Sequence, residues 1–270
     1  MKRLAILLLM LIGLVATTSR PVHAASTASL PVTLYLHGAH GNQRSMSHLV
    51  KAAQWDADAS VITAKVDRQG RVKFSGHWHA HAKQRLVKVV FADNKTRNYD
   101  TLATWLHTVL LGLQQQYNVQ QFNVVAHSLG NAGLLFYELK YGQDQQLPQL
   151  KKYVAIAGNF DGIPGKHRGQ HTNWLTPSGK PAWLAPDYQF ALQHRDAFPR
   201  GVKVLNLFGD HHDHQDGKVL NASSQSLGYL LRGRLASYQT HTFYGSHATH
   251  SGLRKSWRVA DMVDHYLFNS

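Results

Sequence analysis

Apolar positions in this chain fall into two spacings that take turns along its length. Residues 31–36, 86–91, 122–126, 153–157 and 202–208 are short apolar runs of the kind that form buried strands. Residues 61–66 and 72–74 alternate apolar and polar across Asp67-Arg68-Gln69-Gly70, a hairpin signal, and 237–243 forms a last strand. Between them lie helical periods. Leu102, Trp105, Leu106, Val109, Leu110, Leu113 and Tyr117 recur on one face, and further helices are expected over 129–140, about 223–231 and 255–267. Strands alternating with helices predict an α/β chain with a mostly parallel central sheet covered on both faces. Residues 159–186 break the rhythm. Rich in Gly, Pro, His and Trp, they are too long for an ordinary connection and are expected to form a lid-like insertion over the site.

One strand stops abruptly. Phe122-Asn123-Val124-Val125-Ala126-His127 leads straight into Ser128, and a helical pattern starts at Leu129. Ala126 and Gly130, the second neighbours of the serine, are both small. A sharp strand–turn–helix with small flanks is the setting that lifts a serine hydroxyl out of the backbone as a nucleophile. The expected chemistry is therefore acyl transfer through Ser128.

The N-terminus changes the picture of where this chemistry takes place. Lys2 and Arg3 precede an apolar run from Leu4 to Val15, and Val22-His23-Ala24 resembles a cleavage site. Residues 1–24 read as a secretory signal peptide, and 25–270 as one hydrolase-sized domain. An uncleaved anchor is the alternative, although the run is short for a span. The chain has no cysteine, hence no disulfide, and a core of this size does not need one. A net charge of +14 favours anionic surfaces, so electrostatic association with a cell envelope is expected. The basic residues are scattered and carry no nucleic-acid motif, so no specific nucleic-acid partner is expected.

A serine needs a histidine base, and that histidine needs an acid. In such folds the chain order is serine, acid, histidine. The loop after the 202–208 strand offers Asp210, Asp213 and Asp216; Asp216 is preferred because Gly217 lets the chain turn. The loop after the last strand offers His247 and His250, with His250 preferred. Backbone N–H groups of Leu129 and of Ala39, in His37-Gly38-Ala39-His40-Gly41, are the expected oxyanion donors, with His40 as the alternative to Ala39. His37 and His127 are read as bracing residues. Nineteen histidines invite a metal reading, but neither 77–81 nor 211–216 has metal-ligand spacing on a helix, so no metal and no cofactor are expected. Phe160, Trp174 and Trp183 of the insertion, with Ile163 and Leu175, either line a substrate pocket or pack the lid.

These residues together resemble a family of secreted α/β hydrolases of Gram-positive bacteria, grouped as domain of unknown function 915 and often labelled cell-surface hydrolases. The matching pieces are His37-Gly38 with Gly41 and Ser45-Met46, the hairpin around Gly70, Val90-Phe91 with Asn94, and Ala126-His127-Ser128-Leu129-Gly130-Asn131. Further matches are residues 156–162, residues 205–209, Asp216-Gly217 with Ser223-Ser224-Ser226-Leu227, and His250-Ser251 with Leu253. Ala126 stands where the family commonly has Gly, and Leu129 where it often has Met. The resemblance implies an α/β-hydrolase fold, and its Asp-Gly and His-Ser pairs fall on Asp216 and His250. It names no substrate. A carboxylesterase- or lipase-like activity on a small-molecule or lipid-like ester is expected. An amidase, peptidase or acyltransferase on the same three residues, or a non-catalytic envelope-binding protein, are the alternatives.

Overall fold

The computed structural model describes residues 30–165, 172–211 and 213–269; the expected signal peptide lies outside them. Eight strands form one sheet: β1 (Val32–Leu36), β2 (Ala59–Val66), β3 (Val72–Ser75), β4 (Gln84–Phe91), β5 (Gln121–His127), β6 (Gln149–Ile156), β7 (Lys203–Asp210) and β8 (Ser237–Tyr244). Their order is β3-β2-β4-β1-β5-β6-β7-β8. Every neighbour pair is parallel except the β2–β3 hairpin.

The helices are α1 (Ser47–Asp56), α2 (Tyr99–Tyr117), α3 (Leu129–Tyr141), α4 (Pro186–His194), α5 (Asn221–Gln225), α6 (Leu227–Leu230) and α7 (Trp257–Phe268). Because strand side chains alternate between faces, each central strand feeds two cores. Leu34, Leu36, Phe122, Val124 and Ala126 pack with Leu102, Leu106, Val109 and Leu113 of α2 and with Leu134, Leu135 and Tyr137 of α3. Tyr35, Val125, Val154, Leu205 and Leu207 pack on the other face with Leu49, Val50, Ala52 and Ala53 of α1 and Val259, Ala260 and Val263 of α7. The α2 stripe read from the sequence is buried throughout, apart from Tyr117, which is partly buried at its end.

Two helices have no counterpart in the sequence reading. The buried stripe of α1 contains two alanines beside an exposed Trp55, which blurs its period. The helix α4 buries only Tyr188 and Ala191 and opens on Pro186, the last residue of the expected insertion. The helix expected over 223–231 is two short pieces, α5 and α6, parted at Ser226, whose Oγ donates to Ser223 O at 2.8 Å. Elsewhere the elements lie within a few residues of expectation.

Parallel strands deliver their C-terminal ends to one edge of the sheet, where α/β folds place their ligands. Here the ends of β1, β5, β7 and β8 present His37, Ser128, the 210–217 loop and the 245–252 loop side by side.

Candidate active site

Ser128 adopts φ 52° and ψ −123°, a backbone conformation L-residues rarely take. Such strain costs on the order of 1–3 kcal/mol and persists only where neighbours over-determine it. They do so here. The Ser128 N–H donates to Ile156 O at 3.0 Å, while Asn131 returns its N–H and its Nδ2 to Ser128 O at 2.9 and 3.0 Å. Asn131 Nδ2 also reaches Ile156 O, and Tyr153 donates its hydroxyl to Asn131 Oδ1 at 2.7 Å. Two glycines let other backbone close on the turn. A Cβ on Gly38 would lie 2.8 Å from Ser128 Cβ, and one on Gly130 would lie 2.9 Å from Leu36 O. Ala126, two residues before the serine, sits wholly buried in β5, where its methyl is accommodated.

His250 Nε2 lies 2.9 Å from Ser128 Oγ, and its Nδ1 lies 2.7 Å from Asp216 Oδ2. A carboxylate only accepts, so Nδ1 carries the proton and Nε2 is left to accept from the serine hydroxyl. Asp216 is fixed in turn. Its Oδ1 accepts the N–H groups of Lys218 and Val219 at 2.9 and 2.8 Å, and its carbonyl accepts the His250 N–H at 2.8 Å. The three residues are buried at 8 % exposure or less. The alternatives lie elsewhere. Asp210 Oδ2 faces His214 at 3.3 Å and Asn221, while Asp213 and His247 are exposed.

Two further histidines support this array. His127 Nε2–H donates to the carbonyl of His250 at 2.8 Å, tying the histidine loop to the end of β5. Burial, and then the nearby His250, hold its pKa well below the usual value, so it stays neutral. His37 donates Nδ1–H to Gly38 O at 2.8 Å and accepts the Phe91 N–H at Nε2, joining the end of β1 to the end of β4. Burial lowers its pKa as well. A Cβ at Gly209 would strike the Ala248 carbonyl, so β7 reaches the histidine loop only because that residue is glycine.

Ser128 and His250 open onto a cavity of about 120 Å³ lined by Ala39, His40, Leu129, Asn159, Ile163 and several cations. His40 gives its N–H to Asn94 O at 2.8 Å, so it is not a spare donor. Ala39 and Leu129 line the cavity. Asn159 is buried with Nδ2 on Tyr99 Oη, and its Oδ1 has no partner among the described residues. The insertion aromatics are placed apart from this cavity. Phe160 is buried in the α2/α3 core, and Trp183 is partly buried against that core. Trp174 is 64 % exposed and borders a separate groove with Asn173, Asp210, His214, Asn221 and Tyr244. What the insertion does supply is Ile163 and Asn159, together with Asp161. Asp161 accepts from Ala185 N and Asn173 Nδ2, at 2.7 and 2.8 Å, and staples the segment shut. Among the described residues no three His, Cys, Asp or Glu side chains come together as a metal site.

Sequence reasoning met Asn131 only within a matching run, without a role, and gave none to the cavity cations Arg97, Lys218 and Arg254. Asn131 follows the serine by three positions and Arg254 follows the histidine by four. These spacings mean something only once the turns are known.

The profile of the α/β hydrolases of unknown function (DUF915) matches residues 21–270. The chain belongs to that family. Two solved structures share the fold of this α/β hydrolase. One is the lin2722 gene product of Listeria innocua, with TM-score 0.75, 21 % identity, and coverage of 88 % of this chain and 93 % of that one. The other is a candidate cell surface hydrolase of Lactobacillus plantarum, with TM-score 0.74, 17 % identity, and coverage of 90 % and 93 %. No curated protein matches the chain. Among the described residues of this α/β hydrolase, no helix is long and apolar enough to cross a membrane.

Proposed function

We propose that this chain is an exported serine hydrolase acting on carboxylic esters, with Ser128 as nucleophile, His250 as base and Asp216 as the orienting acid. The observation that carries the reading is the continuous relay from Asp216 Oδ2 through His250 to Ser128 Oγ, at 2.7 and 2.9 Å. His250 takes the hydroxyl proton as Oγ attacks the carbonyl carbon. Asp216 stabilises the imidazolium that forms. The N–H groups of Leu129 and Ala39 are assigned to the oxyanion, Leu129 because it starts a helix and Ala39 because its neighbour His40 is already engaged. Collapse passes the proton from His250 to the leaving alcohol and leaves an acyl-enzyme on Ser128. Water, deprotonated by the same histidine, then releases the acid. The signal-like N-terminus and the +14 charge support action outside the cell against an anionic envelope.

Labelling with a fluorophosphonate, read by intact mass, tests the reading. One adduct on the wild type and none on Ser128→Ala or His250→Ala is expected. An unlabelled, folded wild type would sink it.

A further inference from the structure

The cavity at Ser128 carries a charge pattern that hydrolysis of a neutral ester does not need. Arg97, Lys218 and Arg254 all line it, no carboxylate lines it among the described residues, and Asp216, behind His250, is committed to that histidine. None of the three cations makes an ion pair among the described residues. Arg254 is half-buried. Its Nη1 donates to Ser45 O at 2.7 Å, a neutral acceptor that leaves the charge uncompensated. Burial lowers its pKa, the mark of a cation held away from water without a counter-charge. Arg97 is braced by Lys95 O and Thr96 O through Nη1 and holds Nη2 against His40 Nε2 at 3.1 Å, so its guanidinium stays at the cavity wall. Lys218 is positioned by its own N–H on Asp216 Oδ1. A partly desolvated cation without a counter-charge is costly, and the half-buried Arg97 and Arg254, beside the exposed Lys218, are tolerated around one small cavity where an anion is meant to enter.

We infer that the substrate is an ester carrying a negative group, carboxylate or phosphate, within a few bonds of the scissile carbonyl, bound by Arg254 with Arg97 and Lys218. The inference rests on the serine-hydrolase reading and gives that site its substrate class. The cavity size agrees with it: about 120 Å³ of largely polar wall suits a short, polar acyl or alcohol group beside Ser128. Guanidinium forks match carboxylate and phosphate oxygens alike, so the anion chemistry is shared between the two sources.

Matched ester pairs separate the possibilities. Methyl butyrate against monomethyl succinate puts a carboxylate in the acyl part, and glycerol monoacetate against its 3-phosphate puts a phosphate in the alcohol part. The ratio of kcat/KM, charged over neutral, is expected to exceed about tenfold in at least one pair, and the pair that shows it tells where the anion sits. Added salt should lower that ratio. Arg254→Gln should cut it about tenfold or more, Lys218→Gln less, and Arg254→Lys should restore part of it. Lys73→Gln, on the far edge strand, controls for net charge and should leave the ratio as it was. A ratio near one in both pairs, or one untouched by Arg254→Gln, would overturn the inference while leaving the hydrolase intact. Calorimetric binding of the charged esters to Ser128→Ala keeps the two readings apart. Tight binding to this variant, weakened by adding Arg254→Gln, with no turnover by the wild type would leave the anion site standing and remove the hydrolase.

Discussion

At the scale of single residues, the site rests on side chains that are absent as much as on those present. Gly38 lets the β1 loop lie against Ser128 and His127, because a Cβ there would meet Ser128 Cβ at 2.8 Å and His127 Nδ1 at 3.0 Å. Gly38→Ala must therefore push either the serine or the loop that carries Ala39. A shift of a few tenths of an ångström at an oxyanion donor is costly, so ester turnover should fall by about 10²-fold, with a smaller loss of thermal stability. Steady-state kinetics beside a melting curve separates the two effects; unchanged turnover would mean that the loop does not serve the reaction. Asp216→Asn probes the other end. The amide still accepts from Lys218 and Val219, but it offers His250 the wrong tautomeric partner. Turnover should fall by about 10⁴-fold, as for such triads generally, in a variant that still folds. Activity within a factor of ten of wild type would move the acid role elsewhere, with Asp210 next in line.

At the scale of elements, what the sequence reveals depends on how strongly each element announces itself. The strands β1, β4, β5, β6 and β7 are apolar runs, and α2 has seven residues in period, so all were legible. So was the turn at Ser128, because strand, small residues and helix adjoin within ten positions. The helix α1 was not, since alanines carry its buried face, and α4 was masked by the Gly- and Pro-rich segment before it. The insertion was legible as an interruption but not as a structure. Its aromatics suggested a pocket, whereas what orders it is one carboxyl, Asp161, and Ser223, which accepts the Asp161 N–H and donates to Gly162 O. Polar staples of this kind have no period to detect. They have consequences, though. Asp161→Ala leaves the buried Ala185 N–H without its acceptor, at a cost of about 1–3 kcal/mol, and leaves the Asn173 amide only Trp183 O to donate to. Limited proteolysis should then cut within 172–185 at least several times faster than in wild type, while the sheet core resists. Equal cutting rates would show that the staple does not hold the segment.

At the scale of the whole molecule, buried carboxyls set a pH dependence that the exposed charges do not. Burial pushes Glu138 up to about 8, and Asp161 and Asp264 up to about 7; for Asp264 the charges of Asp56 and Asp261 push the same way. Both carboxylate oxygens of Asp264 lack a hydrogen-bond partner among the described residues, and so does Oε1 of Glu138. The unfolded chain ionises these groups near 4, so between about pH 4 and 8 the folded chain binds more protons than the unfolded one. Stability is therefore fully present below about pH 4 as far as these groups are concerned, and is lost as the pH rises through 7 and 8. Over that window each raised group draws stability down on the order of 1 kcal/mol per pH unit. Denaturant titration of the purified chain at a series of pH values should show unfolding free energy declining from mildly acidic to mildly alkaline pH. Asp264→Asn removes one titrating group without changing its size, so it should flatten the slope and stabilise the chain at pH 8 more than at pH 5. Asp264 lies in the second half of α7, near Asp56 at the end of α1, and is none of the residues that line the cavity at Ser128. The variant should therefore shift stability and leave the pH profile of turnover in place. A slope unchanged by Asp264→Asn, or one that rises with pH in the wild type, would mean that these carboxyls do not carry the raised pKa values assigned to them.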